Sequence, residues 1–266
     1  MKKINFAVLM TALLAVFTLS SCLEGNNNST NYGYEYTKVN GGLGFYSFQS
    51  PAGYEIFPTN QNEIKKIIDT RYAFIQYMYQ TDQVSSGMTR LDAQLMGLMP
   101  VHSKRPAPSL TEMEEYANAP IRTISTSGAD GFPVQFLWNA NTMFVPVYYF
   151  IKKFADESEQ AAEFNSHDFS VYYDVNEPNV EKGELVLHVR HSVTKPELNK
   201  ERELMTYSMF HLDLSNAIYD YEAKEGAKPR ALIIEYEMSV NGDYNDRKVS
   251  EKVVIDYSSI LTAFGR

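Results

Sequence analysis

Histidine is the residue type in this chain best suited to binding a metal ion, and its distribution is uneven. Four of the five histidines lie in the second half of the sequence, at His167, His188, His191 and His211. Zinc is usually held by at least three protein ligands that converge on one point, and the last three histidines with Asp213 are the set that could do so. In a β-strand, residues three apart face opposite sides, so His188 and His191 should diverge. We therefore predict no metal site and expect these histidines to be hydrogen-bonded or solvated.

The adjacent pair Arg190 and His191 could bind an anion. A guanidinium can hold a carboxylate through two parallel hydrogen bonds. The alternative is a cross-strand ion pair between Arg190 and an acidic residue near Glu235. We favour the ion pair and keep Arg190 and His191 as candidate binding residues.

Hydrolytic chemistry finds little support in the sequence. A hydrolase needs a nucleophile, a base and an orienting group within mutual reach. The sequence has no Gly-x-Ser-x-Gly motif, and no pair among its many Asp and Glu residues stands out for glycoside chemistry. Gly-rich phosphate loops and basic patches for nucleic acid are also missing from it. We therefore predict a protein that is not an enzyme, holds no cofactor and binds no nucleic acid. An envelope hydrolase or glycan-processing enzyme that uses unidentified carboxylates is the alternative.

Aromatic residues are abundant, with 19 Tyr, 15 Phe and 1 Trp. Tyr72, Phe74, Tyr77 and Tyr79 fall on both faces of one predicted strand. Either they are buried on both sides of that strand, or they form an exposed binding surface, since Tyr offers much contact area at a low entropic cost. We keep Tyr77 and Tyr79 as candidate binding residues.

The single cysteine, Cys22, follows an apolar run. Met1-Lys2-Lys3 is positive, residues 4–19 are mostly apolar, and Ser20 and Ser21 precede the thiol. This order is typical of a secretory signal, and the run is shorter than the ~20 residues of a membrane-spanning helix. Leu19-Ser20-Ser21-Cys22 resembles the lipobox of bacterial lipoproteins, in which the cysteine takes a diacylglycerol and the preceding peptide is removed. The alternative is an ordinary signal with a chance cysteine, and we favour lipid attachment at Cys22.

A lipid on Cys22 would determine where in the cell the protein is located and how it contacts the membrane. Each buried acyl methylene contributes about 0.8 kcal/mol, so two or more chains give lasting attachment. The net charge of −9 opposes docking on nucleic-acid phosphates and on anionic lipid heads. We expect a protein of the cell envelope, anchored in the outer membrane on its periplasmic or surface face. An envelope protein or a glycan is the expected partner.

Short strands with frequent turn residues are the elements that would position these residues. Aromatic and β-branched runs separated by turns such as Asn40-Gly41-Gly42 predict an all-β fold. Two longer strand candidates, 71–80 and 90–102, carry apolar residues on both faces, which suits a small closed or half-closed barrel better than an open sheet. Pro106 and Pro108 interrupt the pattern, and Thr111-Glu112-Met113-Glu114 fits a capping box that would begin a short helix.

The second half of the chain alternates apolar and polar residues more regularly, and Asn241-Gly242 marks a turn near its end. Such alternation places one face in a core and the other in water, which predicts a two-sheet sandwich. The segments are HDFSVYYDV, GELVLHVRHS, YSMFHLDLS, ALIIEYEMSV and VSEKVVIDYS. The predicted plan is a signal peptide (1–21), a flexible tether (22–34), a barrel (35–108) and a sandwich (109–266).

Several of these segments together resemble a known family. ELVLHVRHS with YSMFHLDLS, TRYAFIQYMYQTD followed by LDAQLMGLM, and DGFPVQFLWNANTMFVPVYYFI are similar to the NigD-like lipoproteins of the bacterial envelope. The resemblance implies an OB-like N-terminal barrel and a C-terminal immunoglobulin-like β-sandwich over nearly the whole mature chain. Where the family commonly has Arg-His-Asn, this chain has Arg190-His191-Ser192. The family has no settled biochemical activity, so the resemblance implies the fold and the location. From the lipobox, the tether, the strand pattern and the missing catalytic set we predict a non-enzymatic binding or scaffolding module, and the family's name suggests an accessory role in bacteriocin production or immunity.

Overall fold

Strands dominate the structure, a computed structural model that describes residues 30–42, 45–64, 70–108, 117–124, 137–178, 180–239 and 248–263. This confirms the predicted all-β fold. Three helices accompany the strands within the described residues: α1 (Glu157–Ser166), α2 (Ser215–Glu225) and α3 (Tyr257–Ala263). In chain order the strands are β1 (Thr30–Gly42), β2 (Phe45–Gln49), β3 (Glu55–Pro58), β4 (Tyr72–Gln80), β5 (Arg90–Lys104), β6 (Ala107–Pro108), β7 (Thr123–Ile124), β8 (Leu137–Asn139), β9 (Thr142–Lys152), β10 (His167–Tyr173), β11 (Glu184–Val193), β12 (Arg202–Asp213), β13 (Ala231–Ser239) and β14 (Lys248–Asp256).

The first five strands close into a barrel. β1 pairs with β2 and β4, β2 with β3, and β4 with β5, all antiparallel, and β3 closes the ring by pairing with β5 in parallel. A closed ring of five strands matches the OB-like barrel that we predict. Its interior holds the side chains of Tyr46, Phe48, Ile56, Ala73, Ile75, Tyr77, Leu91 and Ala93.

The start of the barrel differs from the predicted tether, which was expected to reach residue 34. Thr30 to Tyr34 already belong to β1 and pair with β4, from Thr30 opposite Gln80 to Tyr34 opposite Gln76. The physical reason is the alternation of Tyr32, Tyr34 and Tyr36, which gives this segment an aromatic side on the sheet. Residues 1–29, with the predicted signal peptide and Cys22, lie outside the described residues.

The second half forms a sandwich of two sheets. β12, β9, β7 and β8 make one sheet, and β14, β13, β11, β10 and β6 follow one another in the other. Their facing side chains share one core, as the sandwich prediction requires. Within the second sheet, β11 and β13 run parallel. The core includes Met143, Val145, Val147, Val171, Leu187, Phe210, Leu212 and Ile234.

Two of the helices connect the sheets of the sandwich and were not predicted. α1 joins β9 to β10, and the side chain of Asp156 caps it by accepting hydrogen bonds from the amides of Ser158 and Glu159, both at 2.9 Å. α2 joins β12 to β13 and ends at Gly226, whose φ is +73°. No helix in the described residues is long and apolar enough to cross a membrane. The predicted capping box at Thr111 and the Asn241-Gly242 turn lie outside the described residues.

The long strand β5 connects the barrel with the sandwich. Its N-terminal part belongs to the barrel, while His102 to Lys104 pair in parallel with Phe210 to Leu212 of β12. One sheet therefore continues from the barrel into the sandwich. The predicted boundary at residues 108 and 109 borders a segment, 109–116, that is not described, and it stays a prediction.

Candidate functional site

The outer side of the sandwich sheet carries large uncharged side chains. In an antiparallel pair, opposite residues point to the same side of the sheet. On β9 and β12, one side faces the sandwich core through pairs such as Val145 and Phe210. The other side, away from this core, carries the pairs Phe144–His211, Pro146–Met209, Tyr148–Tyr207 and Phe150–Met205.

The outer side of the barrel continues this pattern. Tyr77 and Ile75 of β4 point into the barrel, so the alternate residues of β4 point outward. The register of β1, β4 and β5 places the following residues opposite one another on this outer side: Tyr32–Met78, Tyr34–Gln76, Tyr36–Phe74 and Phe74–Met99.

The two outer sides meet in a buried cluster of rings. Phe144 of β9 lies 5.2 Å from Tyr36 and 5.3 Å from Tyr72, measured between ring centroids, and Trp138 lies 5.5 Å from Tyr72. Each such ring pair contributes about 0.5–1.5 kcal/mol beyond its buried area. The cluster therefore fixes the barrel against the sandwich. We call it the junction cluster: Tyr36, Tyr72, Phe74, Val101, Trp138, Phe144 and Met209.

At the junction cluster the outer-side residues Tyr36, Pro146, Tyr148 and Met209 are buried, and further away the two outer sides become exposed. Tyr32 is 53% exposed on the barrel and Met205 is 60% exposed on the sandwich. Burial raises the pKa of Tyr36, and the hydroxyls of Tyr207 and Tyr148 raise it further. None of these side chains is charged, although charged residues make up 21% of the chain. We call this surface the aromatic face: Tyr32, Tyr34, Tyr36, Phe74, Gln76, Met78, Met99, Pro146, Tyr148, Phe150, Met205, Tyr207 and Met209.

The candidate residue Tyr77 lies on the opposite side of β4, in the barrel core, with 5% of its surface exposed. Its hydroxyl donates to Oε1 of Glu35 at 2.6 Å, and the hydroxyl of Tyr54 donates to the same oxygen at 2.9 Å. Gly33 packs so closely that a Cβ there would lie 2.3 Å from Cζ of Tyr77. Of the two alternatives for the aromatic residues of this strand, burial and an exposed binding surface, Tyr77 therefore shows burial. Tyr79 is partly buried with its ring centroid 5.8 Å from that of Tyr77, and a binding role for either stays a prediction.

Arg190 forms the cross-strand ion pair favoured above. Its Nη2 lies 3.5 Å from Oε1 of Glu235, and the residue is 6% exposed. The neighbouring His188 lies between two carboxylates, with Nε2 2.7 Å from Oε2 of Glu177 and Nδ1 against Oε2 of Glu235. Burial acts to lower the pKa of His188, but the hydrogen bonds to Glu235 and Glu177 outweigh it and raise the pKa.

This cluster is better suited to a protonated imidazole than to a metal ion. Glu177, His188 and Glu235 each offer one possible ligand atom, and these three atoms lie within 4.8 Å of one another. The two carboxylates, however, occupy opposite nitrogens of the ring, so an ion on one nitrogen would meet only one of them. Arg190 also offsets the charge of Glu235. Three ligands do not converge here, as a zinc site requires.

His191 belongs to a different network from His188. Its Nδ1 donates to the carbonyl oxygen of Pro120 at 3.0 Å, and its Nε2 lies 2.9 Å from Nδ1 of His167. Its ring stacks on Phe169, with the centroids 4.4 Å apart. His191 is 2% exposed, so its imidazole is part of the sandwich interior, and a binding role for Arg190 and His191 stays a prediction.

A serine and a histidine also meet at the junction. Oγ of Ser103 lies 2.7 Å from Nδ1 of His211, but Nε2 of His211 is buried and meets no hydrogen-bond partner in the described part of the chain. The ring packs against Tyr72 at 4.5 Å. Burial lowers the pKa of His211 to about 4, and Arg71 adds to this effect. The pair lacks the orienting group that a catalytic triad places on the second nitrogen.

The carboxyls with a clearly shifted pKa do not include a candidate general acid. Every described Asp or Glu whose pKa departs clearly from its ordinary value has a lowered one: Glu163, Asp213, Glu235 and Asp256. A glycosidase general acid needs the opposite shift.

The aromatic face is therefore the strongest candidate site. The period-two spacing of Tyr32, Tyr34 and Tyr36 was a signal for it in the sequence that our prediction missed.

Comparisons with known proteins show a shared fold. A candidate lipoprotein from Bacteroides fragilis NCTC 9343 is similar in structure, with a TM-score of 0.71 at 22% identity, covering 85% of this chain and 98% of that chain. A protein of unknown function from Bacteroides vulgatus ATCC 8482 has a TM-score of 0.51 at 11% identity, covering 85% and 91%. No protein-family model and no curated protein matches the chain.

The similar structures include a member of the family that the sequence resembles. It is a NigD-like immunity protein from Bacteroides caccae ATCC 43185, with a TM-score of 0.45 at 12% identity, covering 86% of this chain and 99% of that chain. At this TM-score the likeness carries no statement about function.

Proposed function

We propose that the protein is a lipid-anchored, non-enzymatic lipoprotein of the cell envelope that binds a partner protein through the aromatic face. The observation that carries the proposal is this continuous, partly exposed and uncharged surface. Tyr, Phe and Met are enriched and charges are depleted in the cores of protein–protein interfaces. Apolar patches of this kind on soluble domains mark interaction sites.

The composition of the face favours a protein over a glycan. A sugar presents many hydroxyls, which need a matching set of hydrogen-bonding groups, whereas the aromatic face offers only tyrosine hydroxyls and Gln76. A buried sugar hydroxyl without a partner costs about 1–3 kcal/mol. Methionine side chains such as Met205 and Met78 adapt instead to the apolar side chains of a protein partner.

The anchor in this proposal is Cys22. The lipobox-like sequence Leu19–Cys22 supports it, and so does the description of the Bacteroides fragilis structure as a candidate lipoprotein. The outer membrane, on its periplasmic or surface face, is the proposed location. A role in bacteriocin production or immunity has only the family resemblance in its favour, and the hydrolase alternative has no identified pair of carboxylates.

The anchor is tested by replacing the cysteine. Cys22→Ala removes the thiol that would take the lipid, so the protein should move from the membrane fraction to the soluble fraction of the cell. Mass spectrometry of the natural protein should find the mass of acyl chains on Cys22, and Ser21→Ala is the control that keeps the thiol. A Cys22→Ala protein that stays with the membranes, or a natural protein without acyl groups, would contradict the anchor.

The binding surface is tested by photocrosslinking in native envelopes. We replace Met205 by a photoreactive phenylalanine analogue, because this side chain is 60% exposed on the aromatic face. The matched control carries the same analogue at Tyr219, an aromatic residue of α2 that is 71% exposed and lies outside the face. We expect one protein adduct of defined mass from position 205 and none from position 219. A further substitution, Phe150→Asp, places a charge opposite Met205 and should abolish the adduct.

Three outcomes would contradict the proposal. Equal adducts from positions 205 and 219 would mean that the crosslinking is not specific to the aromatic face. An adduct whose added mass is removed by glycosidases, and whose digest contains peptides of this protein alone, would identify a glycan in place of a protein. Turnover of glycosidic, peptide or ester substrates by the purified protein would favour the hydrolase alternative.

A further inference from the structure

A chain of buried polar groups crosses the sandwich near the ends of β9 and β12. It runs from the carbonyl oxygen of Pro120 through His191 and His167 to Glu163 of α1, at 3.0, 2.9 and 3.1 Å between successive atoms. Arg202 donates from Nε to Oε1 of Glu163 at 2.8 Å, and the amide of Lys152 donates to the same oxygen at 3.2 Å. We call Pro120, His191, His167 and Glu163 the histidine chain.

The positions of the hydrogens in the histidine chain can be assigned by starting from the carbonyl oxygen of Pro120. A carbonyl oxygen only accepts hydrogen bonds, so Nδ1 of His191 must carry the hydrogen. Burial lowers the pKa of His191 to about 3, so its ring is neutral, and its Nε2 is bare and can only accept. The hydrogen between His191 and His167 therefore belongs to Nδ1 of His167.

The other nitrogen of His167 faces a carboxylate. Glu163 accepts hydrogen bonds from Arg202 and from the amide of Lys152, as an ionised carboxylate does. To bond Glu163 as well, Nε2 of His167 needs a second hydrogen. Both contacts of His167 are satisfied together only when its ring carries two hydrogens and is an imidazolium.

We infer that His167 is a proton-operated link between α1 and β11: doubly protonated, it joins Glu163 to His191, and with one hydrogen it holds only one of them. A hydrogen bond to a carboxylate is stronger than one between two neutral imidazoles. The hydrogen that stays is therefore the one on Nε2, and loss of the second proton releases His191.

The groups around His167 determine when the link forms. Its ring faces Glu163 from α1, His191 from β11, Arg202 from β12 and Tyr149 from β9, the last with ring centroids 4.8 Å apart. Burial lowers the pKa of His167, Glu163 opposes this shift, and Arg202 adds to it. The second proton is therefore taken up only below the ordinary histidine pKa of about 6.5. The link closes in acid, at a pH below 6.5, and opens at neutral pH.

The link also affects the backbone that His191 holds. The amides of Asn118 and Ala119 donate to the carbonyl oxygen of His191, both at 3.2 Å. The same network ties Lys152 and Arg202, at the ends of β9 and β12, close to Phe150 and Met205. We therefore expect the segment 117–120 to be better protected from hydrogen exchange when His167 is doubly protonated.

The test is a pH titration of the ring nitrogens by ¹⁵N NMR on the whole protein in detergent. As the pH is lowered below 6.5, His167 should pass to a form with hydrogen on both nitrogens, while His191 keeps hydrogen on Nδ1 alone. At pH 8, His167 should keep hydrogen on Nε2 alone. A single tautomer of His167 over the whole pH range in which the protein stays folded, or hydrogen on Nδ1 alone at pH 8, would overturn the inference.

A variant separates the link from general effects of pH. In the natural protein the amide protection of Asn118 and Ala119 should rise severalfold as the pH falls from 8 through the protonation of His167. His167→Gln cannot gain this proton, so its protection should no longer change. His102→Gln, at an exposed histidine, is the control and should keep the rise. An unchanged rise in His167→Gln would overturn the inference, and if this variant fails to fold, the ring-nitrogen titration of the natural protein decides.

Discussion

Buried neutral histidines connect the stability of this protein with pH. The ring of His211 lies in the junction between Tyr72 and Phe144, and that of His191 lies inside the sandwich. Burial lowers the pKa of His211 to about 4 and that of His191 to about 3. In the unfolded chain both would bind protons near pH 6.5. Their contribution to stability is complete above pH 6.5 and is lost as the pH falls toward the folded-state values.

A substitution at His211 measures this effect. Between pH 6.5 and 4 the unfolded chain binds one more proton at this residue than the folded protein does, which costs about 1.4 kcal/mol per pH unit, or about 2 kcal/mol at pH 5. His211→Gln removes the titration, so the loss of unfolding free energy from pH 7 to pH 5 in urea should shrink by that amount. His102→Gln is the exposed control. An identical pH dependence in His211→Gln and the natural protein would contradict the assigned shift.

At the scale of elements, the strands could be predicted because their side chains alternate. Leu185, Leu187 and Val189 of β11 face the core as the sequence indicates, and so do Leu232 and Ile234 of β13. The hairpin from β8 to β9 was also predictable. Its turn residue Asn139 accepts a hydrogen bond from the amide of Asn141 at 2.8 Å, which such turn residues commonly do.

The helices could not be separated from strands in the same way. α2 buries Ala217, Ile218 and Tyr221, a helical spacing, but only three buried residues carry it and a strand directly precedes it. α1 is short and mostly polar, and its main sequence signal is the cap at Asp156. These helices are stabilised by tertiary contacts more than by a periodic pattern of apolar residues. One such contact is the hydrogen bond from Arg202 of β12 to Glu163 of α1.

Predicting the aromatic face requires knowledge of which strands pair, which a single sequence does not contain. Its barrel part follows from the alternation of Tyr32, Tyr34 and Tyr36. Its sandwich part joins it only because β5 pairs with β12, for example Ser103 opposite His211, which are 108 residues apart in the chain. The alternation of apolar and polar residues indicates which side of a strand faces the core. It does not indicate which other strand lies next to it in the sheet. The candidates Tyr77 and Tyr79 were chosen for their residue type, without knowledge of which side of β4 closes into the barrel.

At the scale of the whole molecule, the barrel and the sandwich share one continuous sheet and one cluster of rings. Trp138 is the single tryptophan of the chain and belongs to the junction cluster. It therefore reports on the contact between the two parts without any label. The geometry of the aromatic face depends on this contact, because its barrel and sandwich portions are held together by Tyr36, Tyr72 and Phe144.

Two phenylalanines distinguish the junction from an ordinary core. Phe144 and Phe48 are both fully buried, but Phe144 contacts rings from both parts, whereas Phe48 lies inside the barrel alone. Each change to Ala should lower the unfolding free energy by about 3–5 kcal/mol. Only Phe144→Ala should also shift the fluorescence of Trp138 to longer wavelength in the folded protein, because it opens the ring cluster to water. Phe144→Ala should then weaken the crosslink from position 205, while Phe48→Ala keeps it. Equal Trp138 spectra in the two variants would mean that the barrel and the sandwich are held by the shared sheet without the rings.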